Sequence, residues 1–129
     1  MKPIYVALLA STVLAGCASQ PTINGEWAIE DIANRGVIDA SPATLHFLPE
    51  GRLAGNASCN QIMGSYVIKG TSLTIEPAGT TMMACPEALM NQERRLLDML
   101  PTIVRFTIDD TQTLILYAQD GSQIKALRQ

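Results

Sequence analysis

The stretch Gly51-Arg52-Leu53-Ala54-Gly55-Asn56-Ala57-Ser58-Cys59-Asn60 lies near the middle of the chain and directly follows a turn signal, Pro49-Glu50-Gly51. The preceding segment alternates apolar Leu45 and Phe47 with polar neighbours, which predicts a half-buried strand. Residues 52–56 are predicted to return as its antiparallel partner. Gly51 and Gly55 are expected to serve turns or bulges on a curved strand.

Period-two alternation with closely spaced turn residues continues on both sides of this hairpin. A Trp27-containing strand is predicted at the start, and Asp120-Gly121 is a strong hairpin signal near the end. The predicted strands are 23–32, 44–47, 52–56, 64–68, 73–75, 103–108, 114–117 and 124–127, with 80–83 as a further short strand.

The pattern changes between Pro86 and Leu100, where Leu89, Leu96 and Leu100 fall on one face of a helix. Pro86 suits a first helical turn, and Pro101 ends the helix. About eight strands and one helix predict a mainly β fold: a small antiparallel β-barrel, or a strongly curved sheet, with the helix across one mouth or flank. An open α+β sheet is the alternative.

The N-terminus resembles the signal of a bacterial lipoprotein. Lys2 precedes an apolar run, Ile4 to Leu14, and Leu14-Ala15-Gly16-Cys17 resembles a lipobox. The run is too short to cross about 30 Å of hydrocarbon as a helix. We therefore predict a signal peptide over residues 1–16, a lipidated tether over residues 17–22 and one domain over residues 23–129.

A lipid on the Cys17 thiol and an acylated amine after cleavage would hold the protein stably on a membrane. Ala18 follows the cysteine where inner-membrane lipoproteins carry Asp, so the chain resembles lipoproteins of the outer membrane, and we expect the domain to face the periplasm. The tether reaches roughly 17 Å when extended, at about 3.3 Å per residue. The membrane is therefore the first predicted partner.

The formal net charge of −3 argues against a nucleic-acid surface, because such a surface needs clustered Lys and Arg. If Cys17 carries the lipid, Cys59 and Cys85 are the two cysteines that remain. In an oxidising compartment a disulfide between them is the natural interpretation. Its loop would contribute roughly 3–4 kcal/mol. Free structural cysteines, a metal site with His46 and a catalytic thiol remain as alternatives.

His46 alternates with Leu45 and Phe47, so we expect a solvated surface side chain rather than a general base. We predict no catalytic residue, no metal and no cofactor. The methionines of the mature chain could line a soft pocket for an apolar ligand, although ordinary core filling is the expectation. They are Met63, Met82, Met83, Met90 and Met99.

The segments 51–60, Gly64-Ser65-Tyr66 and Thr80-Thr81-Met82-Met83-Ala84-Cys85 resemble the META domain of the heat-shock protein HslJ family, as does the opening strand around Trp27. The resemblance covers residues 23–129. The family usually has Gly before the Cys-Asn pair, where this chain has Ser58, and a glycine there permits a positive φ. The motif residues with expected structural roles are Gly51, Gly55, Asn60, Gly64, Tyr66, Thr81 and Met83.

The resemblance implies no enzymatic activity. Members are associated with the heat-shock response and with novobiocin resistance, so it implies an envelope stress-tolerance or protein-interaction module with an envelope protein as partner. The fold has also been likened to lipid-binding pilot lipoproteins, which suggests the alternative of a small barrel that binds a lipid or another amphiphile.

Overall fold

A computed structural model describes residues 22–129 together with Met1, Pro3 and Gly16. Cys17, most of the predicted signal peptide and nearly all of the predicted tether lie outside the described residues. Among the residues that are described, no helix is both long and apolar enough to cross a membrane.

Residues 22–129 form nine strands and one α-helix, and short 3-10 turns at Pro49–Gly51 and Leu100–Thr102 punctuate the chain. The elements in chain order are β1 (Gly25–Ile32), β2 (Arg35–Gly36), β3 (Thr44–Leu48), β4 (Arg52–Asn56), β5 (Gln61–Lys69), β6 (Ser72–Thr80), α1 (Glu87–Met99), β7 (Ile103–Ile108), β8 (Thr113–Ala118) and β9 (Gln123–Arg128).

The sheet is antiparallel and closes on itself. Neighbouring strands pair from β3 through to β9, β3 pairs with β1, and β1 also pairs with β9 from Trp27–Arg128 to Ile32–Ile124. Eight strands therefore form a closed barrel, with the two-residue β2 alongside the end of β1. The predicted barrel is confirmed, and the alternative of an open α+β sheet is wrong. The reason is that β1 and β9 pair with each other, so neither leaves an unpaired sheet edge.

Close backbone contacts and bulges give the barrel its curvature. A Cβ on Gly55 would collide with the carbonyl oxygen of Thr44, and one on Gly64 would lie 2.5 Å from that of Glu76. The β5–β6 register shifts between Met63 and Gly64. The bulge therefore lies at Gly64, where none was predicted, and Gly55 instead permits a close approach of two strands.

Alternating side chains of the strands fill the barrel interior. The largest fully buried side chains are Trp27, Ile32, Leu45, Phe47, Ile62, Leu73, Ile75, Leu96, Leu100, Leu114, Leu116 and Ile124. Leu96 belongs to α1, and Leu100 is the first residue after the helix. The helix therefore closes one mouth of the barrel with apolar side chains, as the leucine spacing predicts.

The connections divide between two ends of the barrel. The helix end carries residues 33–43, 57–60, 81–102 and 119–122, whereas the hairpin end carries residues 49–51, 70–71 and 109–112 and the segment 22–24 that enters β1. Antiparallel pairing of successive strands produces this division. The predicted lipid tether therefore joins the domain at the hairpin end.

The predicted short strand at residues 80–83 is wrong. β6 ends at Thr80, and residues 81–86 have no regular secondary structure. Their backbone is held by side chains instead of by a neighbouring strand, as described below. β5 begins at Gln61, three residues before its predicted start.

Candidate functional site

A carboxylate is buried where α1 crosses the barrel mouth. Glu93 is 5% exposed. Its Oε1 accepts the backbone N–H of Asn60 at 2.6 Å and that of Cys59 at 3.3 Å, and its Oε2 accepts the Asn60 side-chain amide at 2.8 Å. These donors all belong to the β4–β5 turn. A buried carboxylate needs such donors because desolvation is otherwise unfavourable, so the helix and the turn depend on each other.

The Asn60 side chain carries the connection one step further. Its Oδ1 accepts the backbone N–H of Met83 at 2.6 Å and the Thr81 hydroxyl at 3.0 Å. Its Nδ2 donates to Glu93 and also lies 3.3 Å from the carbonyl oxygen of Met83. The Asn60 side-chain amide thereby hydrogen-bonds both the N–H and the carbonyl oxygen of Met83, as the backbone of a neighbouring strand would.

Gln92, the residue before Glu93, fixes the other side of the mouth. Its Oε1 accepts the backbone N–H of Ile38 at 2.8 Å, and its Nε2 donates to the hydroxyls of Ser41 at 2.7 Å and Ser58 at 2.8 Å. The side chain is 1% exposed. Two successive helical residues therefore hold both loops that meet beneath α1.

The disulfide between Cys59 and Cys85 is present, with 6.0 Å between the two Cα atoms. It joins the β4–β5 turn to the segment that leads into α1, so the sequence-based pairing is confirmed. The alternatives of free cysteines, a metal site with His46 and a catalytic thiol are wrong for this structure, because neither sulfur is free. The Glu93–Asn60 hydrogen bonds and this disulfide together form the mouth network.

Ser58 adopts the backbone conformation that a glycine favours. Its φ is +125°, and its side chain is 1% exposed. Its N–H donates to Asn56 Oδ1 at 2.8 Å, and its hydroxyl accepts from Gln92. The turn therefore keeps a backbone conformation that glycine would permit, although the residue is Ser58, and hydrogen bonds from its N–H and to its hydroxyl hold the strained φ.

Other motif residues lie away from the mouth. Gly51 has φ +71°, and a Cβ there would lie 2.8 Å from the carbonyl oxygen of Tyr66. Tyr66 packs edge-on against Phe47, with 5.1 Å between ring centroids. Its hydroxyl donates to the carbonyl oxygen of Leu48 at 2.6 Å, and burial raises the pKa of the phenol. These residues shape the hairpin end and do not join the mouth network.

Methionine side chains next to the mouth network are exposed to solvent. Met82 is 94% exposed and Met83 58% exposed, and with Met90 they border a groove of about 300 Å³ beside Asn60 and Cys85. Met63, on the barrel wall, is 59% exposed. Core filling is therefore wrong for Met63, Met82 and Met83, whereas Met99 packs against the core as expected. Hydrogen bonds and the disulfide of the mouth network hold the backbone around residues 81–85. The Met82 side chain therefore projects into solvent instead of packing on the protein.

His46 lies on β3, half-buried, and pairs with Glu26 on β1 and Ala54 on β4. Leu45 and Phe47 beside it are buried, so the imidazole belongs to the outer face of the barrel, as predicted. Within the described part of the chain, no group of three or more His, Cys, Asp or Glu side chains is arranged to hold a metal ion.

Sequence reasoning missed the roles of Gln92 and Glu93. Glu93 lies four residues after Leu89 and three before Leu96, on the apolar face of the predicted helix. A carboxylate at such a position signals a buried acid with dedicated donors. That signal was readable, although the identity of the donors was not, because Asn60 and Glu93 are 33 residues apart.

Comparison with known proteins identifies the class. The sequence model of the META domain matches residues 20–129, so the chain belongs to the META domain family. No curated protein matches the chain in sequence.

Solved structures share the fold. An NMR structure of a protein from Burkholderia xenovorans has a TM-score of 0.71 at 23% identity, covering 98% of this chain and 99% of that one. A crystal structure of a DUF4847 family protein from Bacteroides vulgatus has a TM-score of 0.63 at 12% identity, covering 81% and 92%. A further NMR structure of a protein has a TM-score of 0.64 at 19% identity, covering 81% and 89%.

Replacing Glu93 by Gln tests the mouth network. The substituted amide presents an N–H₂ group to the Asn60 Nδ2 donor, so one buried donor loses its acceptor. We expect the free energy of unfolding to fall by about 1–3 kcal/mol, measured by urea denaturation of the oxidised protein. Asp98→Asn on the exposed part of the same helix is the matched control and should change stability little. Equal effects of the two substitutions would contradict the role given to Glu93.

A pair of substitutions at Ser58 separates backbone strain from hydrogen bonding. Ser58→Ala and Ser58→Gly both remove the hydroxyl that Gln92 uses, but glycine alone relieves the strained φ. We expect the glycine variant to be more stable than the alanine variant by about 1–3 kcal/mol. Thermal and urea unfolding of both variants measure the difference, and an alanine variant as stable as the glycine variant would disprove the strain.

Proposed function

We propose that this protein is a non-catalytic lipoprotein of the outer membrane whose META domain binds another envelope protein through the loop of residues 81–86. We refer to these residues as the methionine loop. In this proposal the domain serves envelope stress tolerance as an interaction module, and Cys17 carries the lipid. The single observation that carries the proposal is the exposure of Met82 on a fixed backbone.

The backbone of the methionine loop is held on both sides of Met82. The Thr81 N–H donates to the carbonyl oxygen of Gln61 at 3.1 Å, Met83 is bound by Asn60, and Cys85 is in the disulfide. A binding surface that is already ordered loses little conformational entropy when a partner docks. Methionine is unbranched and polarizable, so it adapts to an aliphatic or aromatic side chain. The loop therefore suits an apolar contact with a protein.

The sequence supports the membrane anchor. The apolar run ending at Cys17 has the length and small residues of a lipoprotein signal, and acylation of Cys17 would supply more than one chain for stable attachment. The domain begins soon after the cysteine, so its partner would lie in the envelope near the anchoring membrane.

The thiol that a catalytic function would need is engaged in the disulfide, and His46 belongs to the barrel wall rather than to the mouth network. Every role found for Asn60, Glu93 and Thr81 is a hydrogen bond that holds the backbone or another member of the network. These observations favour a binding role over an enzymatic one.

The amphiphile alternative finds less support than the protein partner. Large apolar side chains from the strands and the helix fill the barrel interior, including Trp27, Phe47 and Leu100 at 1% exposure or less. An acyl chain would therefore have to bind at the surface, where the groove of about 300 Å³ beside the methionine loop is open to solvent. A lipid at that groove is an outcome that the second experiment below distinguishes.

The lipid anchor predicts a specific result for Cys17→Ser. The variant should keep its signal peptide, remain unlipidated and be missing from the outer-membrane fraction, because no lipid can be attached at position 17. Globomycin should have the same effect on processing of the unaltered protein. Cys59→Ser with Cys85→Ser is the control, since it removes the other two cysteines, and with them the disulfide, without touching the anchor. Unchanged processing and membrane association of Cys17→Ser would refute the lipoprotein half of the proposal.

A photo-crosslinking residue at Met82 in cells tests the interaction. We expect a discrete protein adduct, compared with and without heat shock, that is absent when the same residue replaces Val67, which is 53% exposed on the barrel wall. Met83→Ser should weaken the adduct several-fold, because it removes half of the apolar contact. Equal adducts at positions 82 and 67, or adducts with lipid alone at position 82, would overturn the protein-partner proposal and favour the amphiphile.

A further inference from the structure

The segment that enters β1 is anchored to the end of the last strand. Arg128 donates from Nη2 to the carbonyl oxygen of Thr22 at 2.6 Å and from Nη1 to that of Asn24 at 2.9 Å. Its guanidinium carbon lies 4.1 Å from the centre of the Trp27 ring. The planar, five-donor guanidinium allows one side chain to bind two carbonyls and an aromatic face together.

The same segment has independent anchors. Trp27 Nε1 donates to the carbonyl oxygen of Ile23 at 2.7 Å, and the Ile23 side chain is 2% exposed. The Tyr66 hydroxyl lies 3.3 Å from Asn24 Oδ1. Residues 22–24 therefore leave the barrel in a fixed place at its hairpin end, and we call these contacts the exit clamp.

Few residues separate Cys17 from the exit clamp. Four residues, 18–21, lie between Cys17 and Thr22, so the two Cα atoms are five residue steps apart and at most about 17 Å from each other, at about 3.3 Å per residue. The nine-residue β5 rises about 3.3 Å per residue, and a tilt of about 40° gives the barrel a height of about 23 Å. The helix adds further height at the opposite end. A chain anchored through Cys17 cannot turn its helix end onto the membrane.

We propose that the exit clamp and the short tether orient the anchored protein, with the hairpin end toward the membrane and the methionine loop directed away from it. This inference rests on the lipid anchor proposed above and deepens the interaction proposal. The occupant of the methionine loop is then a protein segment that approaches from the periplasm, and the membrane's own lipids are out of reach of Met82.

The hairpin end carries charges of both signs. Its exposed turns include Glu50, Asp109 and Asp110, and exposed basic side chains lie beside them at Arg52 on β4 and Lys69 on β5. Anionic headgroups would repel the carboxylates and attract the basic groups, and salt screens both effects, so the net electrostatic contact with a membrane is weak. The tether rather than adhesion therefore determines the orientation, and tether length is the variable that an experiment can change.

Orientation is measurable without relying on lipidation in cells. The chain beginning at Cys17 is coupled through that thiol to a maleimide phospholipid in phosphatidylethanolamine–phosphatidylglycerol vesicles, while Cys59 and Cys85 stay in their disulfide. A clickable residue carries a fluorophore at exposed Thr71, on the hairpin end, or at exposed Ala84, in the methionine loop. A nitroxide on the lipid headgroups reports proximity by quenching.

We expect several-fold stronger quenching at position 71 than at position 84. Inserting ten Gly and Ser residues between Pro21 and Thr22 lengthens the tether beyond the barrel height and should remove most of that difference, while far-ultraviolet circular dichroism stays unchanged. Equal quenching at the two positions with the natural tether, or stronger quenching at position 84, would overturn the orientation.

The outcomes stay separate from those of the anchor test. Because the lipid is attached chemically, a lost orientation would contradict the clamp geometry even if Cys17→Ser behaves as a lipoprotein variant should. If the orientation on vesicles is as expected but Cys17→Ser is processed normally in cells, the exit-clamp geometry stands and the proposed lipid anchor is wrong.

Discussion

The hydrogen bonds from the β4–β5 turn to Glu93 are the interaction on which the rest of the structure depends. They place a buried carboxylate in the mouth of a closed barrel, where it has to be satisfied by donors of fixed geometry. Asn60 meets that requirement and in turn fixes Met83. The helix, the turn and the methionine loop are therefore one cooperative unit, and the disulfide reinforces it covalently.

This arrangement explains how a small domain can keep an apolar side chain in solvent. The exposed Met82 side chain contributes no apolar burial to the stability of the fold. The loop that carries it is held instead by the Asn60 amide, the Thr81 hydroxyl and the Cys59–Cys85 disulfide. Stability and surface chemistry are thereby separated: the polar contacts hold the backbone, and the methionine side chains stay exposed to solvent. The filled interior of the barrel also favours a surface function over an enclosed ligand site.

The two ends of the barrel have distinct roles in this view. The hairpin end holds residues 22–24 through Arg128, Trp27 and Tyr66, and the helix end carries the methionine loop. An antiparallel barrel assigns every second connection to the same end, so the entry of β1 and the turn before α1 must be on opposite ends. In the lipid-anchored form that we propose, the orientation follows from strand number and direction, without any dedicated orienting domain.

Much of the fold was predictable because it is encoded locally. Alternation around Leu45 and Phe47 predicts strands, the spacing of Leu89, Leu96 and Leu100 predicts the helix, and two cysteines in an oxidising compartment predict a disulfide. The strand predicted at 80–83 failed for a long-range reason, since Asn60 supplies the hydrogen bonds that local alternation attributed to a strand. Burial of all the methionines was equally wrong, because alternation cannot show which backbone will be held away from the core.

The sequence by itself determined the secondary-structure pattern, the cysteine pairing, the family and the predicted anchor, since each depends on neighbouring residues or on composition. Only the tertiary structure decided barrel closure, the partners of Glu93, the conformation of Ser58 and the opposite placement of tether and methionine loop. These features join residues that are distant in the chain, as Trp27 and Arg128 are, and pairing over such distances depends on packing and desolvation across the whole domain rather than on any local pattern.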